Sequence, residues 1–264
     1  MKLFIIPSWY PTKLPPESGS FFQDQAILLD QMETEVYLLT SIQHSFKDIF
    51  YYKEIEGNTY EKYKSLSIYR NETINIFPKF EKLAFYRFQK HLLNHFSEIE
   101  EKIGKPDLVF FHSSLWAGSA LSEHLHNNQI PFIVAEHLKE FLLPHSFNKF
   151  QSRNIEKVYK NCSKIIATST ALKEEISNKF PFHKNKIAII PNPVDENIFL
   201  LKPEGVINNS ITIICIALFR PEKRIDIIIS AIYNLIKSGA NLTLKIIGDG
   251  PLKLVIEKQI KSLG

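Results

Sequence analysis

Short apolar runs alternate with longer stretches of helical spacing along this chain, and that pattern restricts the fold more than any other feature. It marks strands laid parallel and joined by crossover helices, an α/β architecture. Lys2–Ile6 reads as the first strand, followed by a loop from Pro7 to Gly19 and a helix from about Ser20 to Met32. Val36–Thr40, Leu108–Phe111, Pro131–Ala135, Ile165–Thr168 and Ile187–Ile190 are the next strands, with helices over 117–127, 148–161 and 171–178 between them. Residues 43–76 interleave tyrosines with charges, follow no clear period and receive no assignment.

The polar, turn-rich stretch 202–209 separates two domains, residues 1–200 and 201–264. After it come strand Ile211–Ala217, a helix over 225–237, strand Leu242–Ile247 and a helix opening after Gly248-Asp249-Gly250-Pro251. Two strands and two helices form a fragment of a doubly wound sheet with a marginal core and an open apolar edge. The chain is therefore expected to stop short of a whole second domain.

Composition removes several classes. With 44% hydrophobic and 23% charged residues the chain is globular and not disordered. A net charge of +4, spread along the chain, gives no footprint for nucleic acid. Only Cys162 and Cys215 are present, which excludes a disulfide scaffold and a cysteine-based zinc site and points to an intracellular protein. Pro7 cuts the first apolar run short of a secretory signal, and no run reaches the ~20 residues of a membrane span. The expected location is cytoplasmic, with any membrane met from its inner face.

Candidate chemistry lies where loops and helix starts follow strands, since open α/β sheets bind ligands there. Glu17-Ser18-Gly19-Ser20 is either a site where backbone amides hold a phosphate or acidic group, or a Ser-capped helix with a flexible glycine. His112 ends one strand and Glu136-His137 ends the next; each histidine is a crevice contact or a structural side chain. Arg220-Pro221-Glu222-Lys223-Arg224 puts three cations at a helix start, unfavourable to the helix dipole unless an anion joins them. A diphosphate would account for them, and so would a solvated basic turn. The glycines of Gly248-Asp249-Gly250-Pro251 let backbone approach a ligand closely. Phe77, Phe80, Ala84, Phe88 and Leu92, interleaved with Lys79, Lys82, Arg87 and Lys90, form a basic amphipathic helix that lies on an anionic membrane or packs on the core. Aspartates two apart, His-Glu-x-x-His, a Walker loop, Gly-x-Ser-x-Gly and Gly-x-Gly-x-x-Gly are all missing.

In order, Pro7-Ser8-Trp9-Tyr10-Pro11 with Gly19-Ser20-Phe21-Phe22 and Gln25-Ala26, His112 with Ala117-Gly118, and Glu136-His137 make up the first landmarks. Ala167-Thr168-Ser169, Ile190-Pro191-Asn192-Pro193-Val194-Asp195, Arg220-Pro221-Glu222-Lys223 and Gly248-Asp249-Gly250-Pro251 complete them. Across its length the chain resembles the retaining, GT-B-fold glycosyltransferases of family 4 (group 1). The resemblance implies two Rossmann-like, doubly wound domains facing a cleft, the second incomplete here, with the nucleotide-sugar donor held mainly by the C-terminal one and no metal or other cofactor. It implies that Gly19 lies by the donor phosphates and acceptor, that His137 contacts the transferring sugar, and that Lys223 neutralises the leaving diphosphate. Arg220, Gly248 and Gly250 would serve the donor, and His112, Glu136 and Asn192 the acceptor or cleft. The acceptor would be a glycan or lipid-linked, in cell-surface polysaccharide or lipopolysaccharide assembly. Ala217-Leu218 stands where the family has Gly-Arg, and Arg220 is the candidate to supply that guanidinium. The family's Glu-x7-Glu segment would fall beyond Gly264, so residues 1–264 alone are expected to bind donor poorly and turn over little. The alternatives are an inactive sugar- or nucleotide-binding relative and another GT-B enzyme such as a nucleotide-sugar epimerase.

Overall fold

A computed structural model describes residues 1–12, 19–45, 57–196 and 211–263. The chain divides into two compact units, Met1–Ile198 and Phe199–Gly264. The boundary expected between residues 200 and 201 lies outside the described residues.

Apolar strands too short for helices, buried on both sides, build the first unit. Its elements are β1 (Lys2–Pro7), α1 (Ser20–Asp30), β2 (Glu35–Ser45), β3 (Gly57–Tyr63), β4 (Leu66–Asn75), α2 (Glu81–Ile103) and β5 (Leu108–His112). Then follow α3 (Ser119–Asn127), β6 (Phe132–Glu136), α4 (Lys149–Asn161), β7 (Lys164–Ala167), α5 (Thr170–Lys179) and β8 (Ile187–Ile189). The eight strands form one sheet in the order β3-β4-β2-β1-β5-β6-β7-β8, parallel except for the β3–β4 hairpin. Helices α2 to α5 bury Phe88, Phe96, Leu121, Val158 and Ile176 on one face, against Phe4, Phe111 and Val134. On the other face α1 packs Ala26 and Ile27 over Leu3, Ile5 and Leu38.

The unassigned stretch 43–76 holds the end of β2 and the β3–β4 hairpin. Strand β3 is exposed at every position, an edge strand whose Asn58, Glu61 and Lys62 blunt it against further pairing, and so it carries no apolar alternation. The helix expected from Ala117 begins at Ser119, because Ser114–Gly118 forms a wide turn with positive φ at Ser113 and Trp116.

Helix α2 packs most of its apolar stripe on the core. Ala84, Phe85, Phe88 and Leu92 are buried in the core, while Phe80, 63% exposed, lies at its rim. Among the described residues no helix is long and apolar enough to cross a membrane.

The second unit pairs β9 (Ile211–Ile216) with β10 (Leu242–Ile247) in parallel, joined by α6 (Ile225–Lys237) and followed by α7 (Lys253–Leu263). Phe219, Ile225, Ile229 and Ile256 form its core. Ile214 and Ile216, on the strand's other face, are exposed.

Replacing Phe88 with Ala is expected to lower the unfolding free energy by about 3–5 kcal/mol, as a large buried ring lost from a packed core does. Phe80→Ala should stay within about 0.5 kcal/mol of the parent. Urea unfolding followed by circular dichroism separates the two; equal effects would mean that α2 docks by a different face.

Candidate functional site

From β1 the chain winds outward in both directions, through β2 to one edge and through β5 to the other. The C-terminal ends of β1 and β5 therefore flank a topological switch point, where a crevice opens. Gly19 closes the loop after β1 and caps α1 with φ 77° and no side-chain hydrogen bond. The Ser-capped reading is thereby replaced by a glycine cap. A Cβ at residue 19 would lie 3.0 Å from both Trp9 and Phe22, so the position needs glycine for space as well as for its left-handed backbone.

Phe22 links Gly19 to the histidines. Its ring stacks on His112 with centroids 4.2 Å apart and lies 5.3 Å edge-on from His137. His112 Nδ1 and His137 Nε2 are 3.1 Å apart, one hydrogen bond. Burial pushes His137 down to about 4, and burial with the neighbouring imidazole pushes His112 well below the ordinary histidine value. Both rings are neutral at pH 7. His112 is fully buried, so it lies beneath the crevice as a support for His137 and lines no open surface, a correction to its expected cleft role. His137 lies at one end of an apolar groove of about 260 Å³ that runs along the sheet from Met1 and Leu108 to Thr168 and Asn192. Asn192 thus shares this groove with His137.

Glu136 departs from its expected cleft position as well. Successive strand residues point to opposite faces, so Glu136 turns away from His137 and is fully buried. Its Oε1 accepts the Ser114 N–H at 3.1 Å and the Tyr159 hydroxyl at 2.9 Å. Burial outweighs these bonds and raises its carboxyl to about 7. The carboxyl holds the 114–118 turn from below. Ser8 holds it from the side, accepting the Ala117 N–H at 3.1 Å and donating to the Leu115 carbonyl. Sequence reasoning missed Tyr159, Ser8 and the platform made by Trp9 and Phe22. Trp9 and Phe22 stand inside the quoted motifs, whereas nothing in the sequence links Tyr159 to Glu136.

In the second unit the 248–250 turn packs on residues 217–219, which lead into the segment carrying Arg220 and Lys223. Arg220 and Lys223 flank a one-turn helix before α6, exposed and without an ion pair to any described residue. The third cation is otherwise engaged: Arg224 donates to both carboxylate oxygens of Asp226, at 3.1 and 3.0 Å. Gly248 and Gly250 press against the 217–219 backbone, where a Cβ on Gly250 would meet Phe219 N at 2.9 Å. The Phe219 N–H donates to Asp249 O at 2.8 Å. The glycines serve this loop-to-loop packing, so their presence has a structural cause independent of any ligand. Among the described residues no three His, Cys, Asp or Glu side chains are placed to hold a metal ion.

The Glu136 carboxyl makes stability depend on pH. Between about 4.5 and 7 the unfolded chain has released this proton while the folded chain keeps it, so stability falls as pH rises, by about 3 kcal/mol over the window. The lowered histidines give the opposite slope. Urea midpoints of the parent and of Glu136→Gln across this range isolate the carboxyl: the difference should move in favour of the Gln variant with rising pH. A difference constant with pH would place the Glu136 pKa at its ordinary value.

Comparison with known proteins adds the following. The family model described as Glycosyltransferase Family 4 matches residues 47–198, more than half of the chain. A comparison with curated proteins returns no match. The structure of HepE from Anabaena in complex with UDP superposes with a TM-score of 0.64 at 16% identity, over 100% of this chain and 66% of that one. An α,α-trehalose-phosphate synthase (UDP-forming) from Burkholderia vietnamiensis gives 0.63 at 8% identity, over 99% and 69%. A putative UDP-N-acetylglucosamine 2-epimerase from Listeria monocytogenes gives 0.54 at 13%, over 99% and 66%. The chain thus spans about two thirds of the length of these structures, and the likeness shows a GT-B fold. With the family match covering most of the first unit, this chain belongs to glycosyltransferase family 4.

Proposed function

We propose that this protein transfers a sugar from a nucleotide-sugar donor to a glycan or lipid-linked acceptor with retention of anomeric configuration, in cell-surface polysaccharide or lipopolysaccharide assembly. The observation that carries the reading is the crevice of a family 4 chain in which the neutral His137 lies at one end of a groove, joined through Phe22 to the tight Gly19 turn. In this reading Gly19 lies by the donor phosphates and acceptor, and His137 contacts the transferring sugar. Asn192 lines the acceptor side. Lys223, exposed before α6, meets the diphosphate, with Arg220 adding a guanidinium and Gly248 and Gly250 shaping the loop beside them.

The reaction breaks the bond between the anomeric carbon and the diphosphate oxygen and forms one from that carbon to the acceptor oxygen on the same face. The acceptor proton passes to the departing phosphate oxygen, so no side chain serves as base. Charge accumulates on the diphosphate as the bond breaks, and a cation positioned there stabilises that state more than the ground state. No metal ion or other cofactor is invoked. The exposed Lys79, Lys82, Phe80 and Leu83 at the start of α2 would face anionic lipid bearing a lipid-linked acceptor. The HepE structure contains UDP and the trehalose-phosphate synthase is UDP-forming, so UDP-sugars are the first donors to try.

The test measures release of nucleoside diphosphate from a panel of UDP-, GDP- and dTDP-sugars with glycan and lipid-linked acceptors, and the anomeric configuration of any product by NMR. Lys223→Ala should lower kcat/KM by about 10²–10³, the scale of losing one preorganised charge-stabilising group, and His137→Ala should also lower it. Full activity in both variants would overturn the assignment. Sugar interconversion without an acceptor would favour the epimerase reading, and tight nucleotide binding without turnover, where weak binding and low turnover are expected of residues 1–264 alone, an inactive relative.

A further inference from the structure

We propose that His112 is a positioning residue that fixes the tautomer of His137, leaving the His137 proton on Nδ1 so that the ring presents an N–H to the crevice. The inference stands on the geometry of the pair; it rests on the glycosyl-transfer reading only for what the N–H would meet.

A single hydrogen lies between His112 Nδ1 and His137 Nε2, 3.1 Å apart, and there are two ways to supply it. If His137 donated through Nε2–H, the neutral His112 ring would carry its own proton on Nε2. That atom is buried and has no hydrogen-bond partner among the described residues. An unpaired N–H in the interior loses its bond to water with nothing in exchange, and such orphaned donors are rare in folded proteins. If His112 donates through Nδ1–H, its buried Nε2 is a bare lone pair, the less costly state. His137 Nε2 then accepts, and the neutral His137 ring holds its proton on Nδ1.

A half-turn of the His112 ring would put Cδ2 where Nδ1 stands and forfeit the bond to His137. Stacking on Phe22 at 4.2 Å and packing against Phe110 at 4.6 Å hold the plane of the ring. Burial keeps both rings neutral at pH 7, so a doubly protonated His137 does not compete.

The consequence concerns ligand chemistry. At this point the crevice offers a neutral donor. It suits an oxygen lone pair, as on a sugar hydroxyl or a phosphate, and disfavours an amine or any group that presents only hydrogens. His137 likewise supplies neither positive charge nor a general acid near neutral pH.

The test needs no substrate, so its failure is separate from a failure of the glycosyl-transfer reading. The full 264-residue chain, labelled with ¹⁵N, is examined at pH 7.5 by long-range ¹H–¹⁵N correlation of the imidazoles. His137 is assigned by the peaks lost in His137→Gln. The expected result is a protonated Nδ1 and an unprotonated Nε2, the reverse of the tautomer that histidine prefers in water. His112→Phe, which keeps the stack on Phe22 but lacks the donor, should return His137 to the Nε2–H form. His112→Asn, whose amide nitrogen falls near the place of ring Nδ1, should restore the Nδ1–H form. A parent protein with His137 protonated on Nε2 overturns the proposal, as does an unchanged His137 pattern in His112→Phe. If that variant does not fold, the parent spectrum alone decides.

Discussion

In the parallel pairing of β1 with β5, Leu3 lies opposite Leu108 and Pro7 opposite His112, and this register governs where each group of the crevice can stand. It delivers Ser8 to the turn that follows His112, where a single hydroxyl contacts both Leu115 and Ala117. The same pairing starts the Trp9 loop beside His112, so Phe22 on α1 can cover the imidazole. A slip of one residue would turn every side chain of β1 to the wrong face. Burial of Leu3, Phe4, Ile5 and Ile6, all at 3% exposure or less, stands against that slip.

Polar groups buried beside this strand pair are costly unless each does something for its neighbours. Glu136 accepts from Ser114 and Tyr159, and Tyr159 is held in turn by the end of α4, whose carbonyls at Tyr159, Lys160 and Cys162 all accept from Lys186 Nζ. The reward is a turn with positive φ at two non-glycine residues, Ser113 and Trp116, a conformation that persists only when the surroundings over-determine it. His112 sits at the entrance to that turn. Its place under His137 thus depends on a carboxyl on the opposite side of the sheet.

What the sequence discloses follows from how local the cause is. Strands such as Phe132–Glu136 and the helix over 225–237 were legible because burial on two faces or one stripe writes itself into successive residues. The edge hairpin at β3 was not, since Gly57–Tyr63 buries nothing and its pairing is set by β4. Of the crevice, Gly19, His112 and His137 were legible as strand-end and loop residues, and Asn192 by resemblance. The inward turn of Glu136 follows from strand alternation once the end of β6 is fixed. The burial of His112 does not, because it depends on Phe22 from another element. In the same way, the close packing of Gly248 and Gly250 on Ala217 and Phe219 depends on a segment about 30 residues earlier, which no local pattern discloses.

Electrostatics divide the work between the two units on the proposed reading. In the first unit the His112–His137 pair is neutral at pH 7, so these two rings bring no fixed charge to the crevice. Such a surface can orient hydroxyls through directed hydrogen bonds, but it cannot neutralise a departing diphosphate. That task requires cations. In the second unit Arg224 is committed to Asp226, which leaves Arg220 and Lys223 as the exposed cations before α6.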